Sequence, residues 1–374
     1  MRHASLDALR GIAALIVLFH HCALSFPRDD AAWSLGAVLR APPFSLLVDG
    51  PGAVFLFFAL SGFALSASLD ATTGASVRPF QYWRYALGRM LRLYPPYAVA
   101  VLASAVLYLA IQPHAIAGLS AWFNRDSWAF PVTWRLVGGE LLMLDEHQYM
   151  SLLNPGWALI HILRLSLVFP LVFFALRWRP GISLALCAAF SVIANFAQTQ
   201  PETPLFLKAI CASGQYLISF ALGGALYLAR NSILRGFERW GLFALIAAFA
   251  SSLVCFLLPR QLPGANIWFP TAGAVLLMSA ILSSDVAKRA LDAASLQWLG
   301  KISFSLYLTH IVVLLTTFHL FWGQAPAFVL VGAIIAGSLG AAVLLHVGIE
   351  KPFAAFGSRL RSRTALKVDQ HQGI

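Results

Sequence analysis

Apolar runs of membrane-spanning length recur along this chain from its first dozen residues to its last thirty. A bilayer core about 30 Å thick needs roughly 17 to 25 mostly apolar residues per crossing helix. The chain is 59% hydrophobic and only 11% charged, where a soluble domain is about a quarter charged. Its mean hydropathy is +0.76. The expected fold class is all-α: a polytopic membrane protein of about ten transmembrane helices, with no large soluble domain left over.

The runs place spans at 6–26, 51–69, 95–112, 156–176, 181–199, 209–229, 241–258, 265–283, 303–321 and 327–348. Lysine and arginine concentrate on the cytoplasmic side of membrane proteins. With the N-terminus inside, only Arg28, Arg40, Arg125, Arg135, Lys208 and Arg260 of the 26 Lys and Arg fall in outer loops, and Arg164 lies within a span. That bias predicts both termini in the cytoplasm and accounts for the formal charge of +11. The cations are scattered over separate loops, which argues against nucleic acid binding. Residues 1–353 are expected to form the membrane domain and 354–374 a basic, disordered cytoplasmic tail.

Segment 135–144 is too short and polar for a span and reads as an interfacial or re-entrant piece. The first span is long, carries paired histidines near its outer end and lacks a small-residue cleavage pattern, so it reads as a retained helix rather than a signal peptide. Cys22, Cys187, Cys211 and Cys255 fall in or beside spans with no metal spacing or disulfide framework. No metal site is expected.

Ionisable groups inside a membrane are costly and therefore candidates for function. Arg10 and His21 lie eleven residues apart on the first span. Eleven helical steps make three turns plus roughly 20°, so the two share a face about 16 Å apart along the axis. Asp7 stands one turn before Arg10 and can pair with it. His21 can act as a general base near neutral pH. His20 points about 100° away, and the spacing with Arg10 favours His21 as the catalytic member.

Arg84, Arg89 and Arg92, interleaved with aromatic residues, precede Pro95-Pro96-Tyr97 on the inner loop after the second span. Arg89 and Arg92 sit one turn apart on any helix there, and forked guanidinium donors suit phosphate. An ordinary positive-inside loop explains them as well. Ser61-Gly62 in the second span points to close helix packing, although Ser61 can also donate in a site. Trp157, His161 and Arg164 share the fourth span, where substrate contact and a buried structural pair are equal readings of the arginine. Tyr307 and His310, one turn apart on the ninth span, serve packing or chemistry equally well. Glu350 ends the tenth span at the inner interface, in reach of a loop arginine.

Together these segments resemble the acyltransferase-3 family of integral membrane acyltransferases, which includes O-acetylases of bacterial surface polysaccharides. The matching motifs are Leu-Asp-x-Leu-Arg-Gly-Ile-Ala-Ala-Leu ending in His-His at 6–21, Phe-Phe-x-Leu-Ser-Gly-Phe at 57–63 and Arg-x-x-Arg-Leu-Tyr-Pro-x-Tyr at 89–97. Ile-Ser-Phe-Ser-Leu-Tyr-Leu-x-His at 302–310 and Ile-Glu-Lys-Pro-Phe at 349–353 complete the set. Five motifs in the family's order are far more specific than any one alone. The resemblance implies an acyl-coenzyme A co-substrate from the cytoplasm, with no permanently bound cofactor. It makes Arg10, Arg89 and Arg92 donor-binding residues and His21 the catalytic base. It adds Asp7, His20, Ser61, Tyr97, Trp157, His161, Arg164, Tyr307, His310 and Glu350 as residues that line the site.

One departure stands out. The family pattern Trp-Ser-Leu-x-x-Glu reads Trp157-Ala158-Leu159-Ile160-His161-Ile162 here, so its carboxylate is missing. No hydrolase-like segment follows the ten spans, which fits a stand-alone membrane domain. The expected function is transfer of an acyl group, acetyl above all, from acyl-CoA to a hydroxyl of an envelope or secreted glycan or glycolipid. The expected setting is a bacterial inner membrane, with membrane lipids around it. The competing readings are an exporter of a small anion or lipid-linked glycan, and a degenerate family member without its glutamate. Against export, the chain shows no inverted repeat and no matched pair of broken helices.

Overall fold

The computed structural model describes residues 4–27, 44–73, 80–143, 151–258 and 265–359. The described chain is almost entirely helical, as an all-α membrane protein requires. The helices are α1 (Ala4–Leu24), α2 (Gly50–Thr73), α3 (Tyr82–Ile111), α4 (Ala121–Asp126), α5 (Trp134–Leu141), α6 (Gly156–Trp178) and α7 (Pro180–Ala197). They continue with α8 (Leu205–Gly214), α9 (Leu217–Leu257), α10 (Ala265–Ser283), α11 (Asp285–Leu291), α12 (Ala294–Phe321) and α13 (Ala327–Leu345). A π-helical turn at His346–Glu350 follows, and residues 351–359 continue as helix.

Among the described residues, 9 helical stretches are long and apolar enough to cross a membrane. One of them, Leu205–Leu257, holds two of the expected spans. The 41 residues of α9 would make a straight rod about 60 Å long, twice a hydrocarbon core. Gly241 breaks it: φ 54° and ψ −136° lie outside helical space, in a region only glycine enters cheaply. The spans read at 209–229 and 241–258 are separated in this way. Helix α5 is too short to cross, as expected of 135–144, and Thr133 caps it by accepting from the Leu136 N–H at 3.1 Å.

Two expectations give way. The arginines before Pro95 are not on a loop: α3 begins at Tyr82 and carries Pro95 and Pro96 in its interior. Two prolines withdraw two amide donors but leave the backbone dihedrals helical, and membrane helices tolerate this where neighbours reabsorb the lost bonds. The helix also runs past the expected end of the membrane domain at residue 353, to residue 359. It packs on α3, where a Cβ on Gly357 would sit 3.6 Å from Leu91 Cβ and 3.7 Å from Gly88 Cα. The rest of the expected tail, 360–374, lies outside the described residues.

The helices fall into two compact units. The first takes its described residues from Met1–His20, Val38–Val77 and Arg164–Lys301. Here α2 and α9 meet backbone to backbone: a Cβ on Gly62 would fall on the Phe220 carbonyl, and one on Gly223 on the Ala59 carbonyl. Such small-residue seams replace the hydrophobic driving force that lipid cannot supply. Polar clamps finish the unit. Ser219 and Thr271 hydroxyls meet at 2.6 Å, Ser252 donates to the Gly273 carbonyl at 2.9 Å, and Gln198 and Gln215 exchange amide bonds at 2.7 and 2.9 Å.

The second unit takes its described residues from His21–Ala37, Arg78–Leu163 and Ile302–Ile374. Its polar side chains bond mainly to backbone carbonyls. Tyr97 donates to the Glu140 carbonyl at 2.8 Å and Ser104 to that of Leu152 at 2.6 Å, while the Trp128 indole donates to the Ser104 hydroxyl at 2.9 Å. These bonds fix α5 and the loop before α6 onto α3.

The seam in the first unit yields a test. In Gly223→Ala the added carbon meets a backbone carbonyl that cannot swing aside. Overpacking of this kind costs about 1–3 kcal/mol, read as a lower thermal midpoint of the purified protein in detergent. An unchanged midpoint would contradict the seam.

Candidate active site

His21 lies in the last turn of α1 and is buried. Its Nδ1 stands 3.2 Å from Nε2 of His310, a side chain with 0% exposure on α12. The two rings are 5.0 Å apart between centroids and tilted by 46°. Nδ1 of His310 is in turn 3.1 Å from the Leu306 carbonyl one turn earlier. On its other side His21 meets the half-buried ring of Trp122 on α4, at 5.3 Å.

The C-terminal end of α1 is held by serines. Ser25 Oγ donates to the His21 carbonyl at 2.9 Å. Ser120 Oγ donates to the Leu24 carbonyl, and the Ser120 N–H to the Ser25 carbonyl at 2.9 Å. Ser120 also caps α4 by accepting from the Phe123 N–H at 3.2 Å. One residue therefore closes the helix that carries the histidine and opens the helix that carries the tryptophan.

Tyr307, one turn before His310, donates its hydroxyl to the Pro155 carbonyl at 2.7 Å. It stitches α12 to the residue that precedes α6. On α6, Trp157 and the buried His161 meet edge to face at 5.9 Å. Tyr97 is fully buried and engaged with α5. Arg89 is half-buried and Arg92 exposed on the N-terminal part of α3. Glu350 is not paired with a loop arginine among the described residues. Its Oε2 accepts from Ser305 at 2.7 Å and from His346 Nδ1 at 2.9 Å. The π-helical turn aligns His346 with it, and a serine and an imidazole from the bundle reach the carboxylate where the loop cations do not.

The first unit holds the remaining candidates. Arg10 forms the expected pair with Asp7 at 2.7 Å and also donates to the Leu60 carbonyl at 3.0 Å. His20 Nδ1 donates to the Val48 carbonyl at 2.7 Å, so this member of the histidine pair has an anchoring partner. Ser61 is half-buried, beside the glycine that makes the helix seam. Arg164 reaches the Ala209 carbonyl at 3.3 Å and the Ser213 hydroxyl at 3.4 Å, which ties α6 to α8.

Glu140 is the residue that sequence reasoning passed over. It is 1% exposed on α5. Oε1 accepts the Leu152 N–H at 2.6 Å, while the buried Oε2 has no hydrogen-bond partner. Burial pushes its carboxyl up to about 8, against the opposing pull of the Leu152 and Leu153 N–H groups. A carboxyl held neutral in this way is a hydrogen-bond donor at physiological pH. The signal available was a lone glutamate within an otherwise uncharged stretch, Leu136 to Met143.

The profile of the acyltransferase domain matches residues 3–347. The chain belongs to the acyltransferase-3 family. It is an enzyme of acyl transfer embedded in the membrane. Acyltransferase MdmB of Streptomyces mycarofaciens is 29% identical over 94% of this chain and 92% of its own length. Protein 2 in the picA locus of Rhizobium radiobacter is 28% identical over 45% of this chain and 81% of its own. O-acetyltransferase PaAT-1 of Phomopsis amygdali is 41% identical over a short stretch, 16% of this chain and 13% of its own. No solved structure matches the chain at a significant level.

Glu140 makes this enzyme's stability depend on pH. Between its ordinary 4.5 and about 8, the unfolded chain releases the proton while the folded protein keeps it. Stability from this group is therefore full below 4.5 and declines as pH rises through that window. Glu140→Gln keeps the acceptor for Leu152 and removes the titration. Its thermal midpoint should exceed that of the wild type at pH 8, and the gap should close toward pH 5. A variant that follows the wild-type curve throughout would refute the buried neutral acid.

Proposed function

We propose that this chain is a membrane O-acyltransferase that moves an acyl group, acetyl as the simplest case, from acyl-CoA to a hydroxyl of an envelope or secreted glycan or glycolipid. The observation that carries the reading is a buried imidazole pair, His21 and His310, inside an acyltransferase domain. Imidazole is the side chain best suited to take and return a proton near neutral pH.

In this reading His21 removes the acceptor hydroxyl's proton as the oxygen attacks the thioester carbonyl. The carbon–sulfur bond breaks, the coenzyme A thiolate leaves, and the proton on His21 passes to it. The products are an ester and coenzyme A thiol, and the enzyme is unchanged. Arg10, Arg89 and Arg92 bind the donor's phosphates. The Asp7 and Leu60 contacts of Arg10 hold its guanidinium in place, and the Arg92 side chain is exposed. Oxygen as the acceptor atom is supported by the relative named as an O-acetyltransferase. Placement in a bacterial inner membrane, with both ends cytoplasmic, is supported by the bias of lysine and arginine toward alternate loops.

The test uses purified protein in detergent or nanodiscs, labelled acetyl-CoA and a panel of glycans and glycolipids. His21→Ala should lower kcat by roughly 100- to 10,000-fold, and unchanged turnover would end its role as base. Arg89→Ala and Arg92→Ala should each weaken coenzyme A binding by about tenfold or more, the worth of a charge-assisted hydrogen bond. Full affinity in the double variant would move the phosphate site elsewhere.

A further inference from the structure

His310 is placed to decide which nitrogen of His21 carries the lone pair. Its Nδ1 lies 3.1 Å from the Leu306 carbonyl. A carbonyl oxygen only accepts, so Nδ1 of His310 carries a hydrogen. In a neutral imidazole the other nitrogen is then bare. That nitrogen, Nε2, lies 3.2 Å from Nδ1 of His21. Two bare nitrogens facing each other would repel, so Nδ1 of His21 carries a hydrogen and donates it. The lone pair of neutral His21 is then on Nε2. The opposite choice on both rings sets the His310 Nδ1 lone pair against the Leu306 oxygen. A doubly protonated His310 would also satisfy both contacts, at the cost of a cation in a side chain wholly excluded from solvent.

We propose that His310 is a positioning residue that fixes the Nδ1–H tautomer of His21 and so presents Nε2 to the acceptor hydroxyl. The inference rests on His21 being the base. In the forward step the hydroxyl proton moves to Nε2 and the imidazolium keeps its Nδ1–H bond to His310. When the thiolate leaves, the Nε2 proton goes to sulfur and the starting tautomer is restored, with no net change on either ring. The arrangement has the logic of a base oriented by a third group, with an imidazole as the orienting group. The chain also bears isoleucine at 162, where the family pattern has glutamate. Tyr307 supports the device from one turn away: its bond to the Pro155 carbonyl fixes the rotation of α12 that aims His310.

The test compares His310→Leu, which cannot accept a hydrogen bond, with His310→Gln, whose amide oxygen can accept from His21 Nδ1–H. His310→Leu should lose roughly 100-fold or more in kcat, the scale of a misdirected general base, with the KM for acetyl-CoA within about twofold. His310→Gln should recover at least about a tenth of wild-type kcat. Coenzyme A binding by each variant shows that it is folded. Imidazole nitrogen spectra of isotope-labelled wild type, with the His21 signal assigned by its loss in His21→Ala, should show the Nδ1–H form.

Unchanged kcat in His310→Leu would overturn the proposal, as would a glutamine variant no better than the leucine one, or a His21 signal of the Nε2–H form or of the imidazolium. Absence of transfer by the wild type, with the Nδ1–H tautomer present, would instead count against the acyltransferase reading of the site while leaving the tautomer in place.

Discussion

Hydrocarbon offers a polar group nothing to bond with, and this one constraint arranges most of the molecule. Each buried donor has to find an acceptor supplied by the chain, and here the acceptor is repeatedly a main-chain carbonyl. Tyr97 uses that of Glu140, Ser104 that of Leu152, Tyr307 that of Pro155 and His20 that of Val48. Carbonyls near helix ends and in loops have spare capacity, since they lack intrahelical partners. The loop before α6 thus becomes a rail onto which α3, α5 and α12 are fastened. The same constraint sets the scale of the chemistry. With water excluded, a proton on an imidazole is steered by its hydrogen-bond partners rather than by bulk solvent.

Much of this was legible in the sequence. The length and spacing of apolar runs gave the helices, since the membrane thickness is a ruler that sequence must match. The Asp7–Arg10 pair and the divergence of His20 from His21 both follow from helical periodicity alone, and both are present. What resisted reading depends on contacts distant along the chain. A proline pair reads as a helix start because proline favours the first turn, yet the arginine-rich segment before it is already helical in α3. Its surroundings include the stretch around Gly357, more than two hundred residues later. Glu350 finds Ser305 and His346, not an arginine, because a π-helical turn sets its direction. Glu140 lies on a segment too short to reveal its buried face.

The candidate site divides its residues by task. His21 and His310 face each other as a buried imidazole pair, and the aromatic ring of Trp122 borders His21. Tyr307 and Tyr97, which share motifs with catalytic candidates, spend their hydroxyls on backbone carbonyls and hold geometry. Motif membership therefore separates into imidazoles that face each other and hydroxyls that fasten backbone. The separation is visible only when each donor's partner is known.

The serine clasp at the end of α1 has a consequence for how such enzymes diversify. His21 occupies a helical last turn, a place that ordinarily frays. Ser120, 96 residues from Leu24, closes that turn and at the same time starts the helix bearing Trp122. The helix that bears Trp122 and the order of the turn that bears His21 are thus one mechanical part. A loop transplanted from a relative to alter substrate preference would arrive with its own clasp or none. Such exchanges should succeed as a block that includes the last turn of α1, and residue-by-residue grafting should loosen His21 before it changes the choice of substrate.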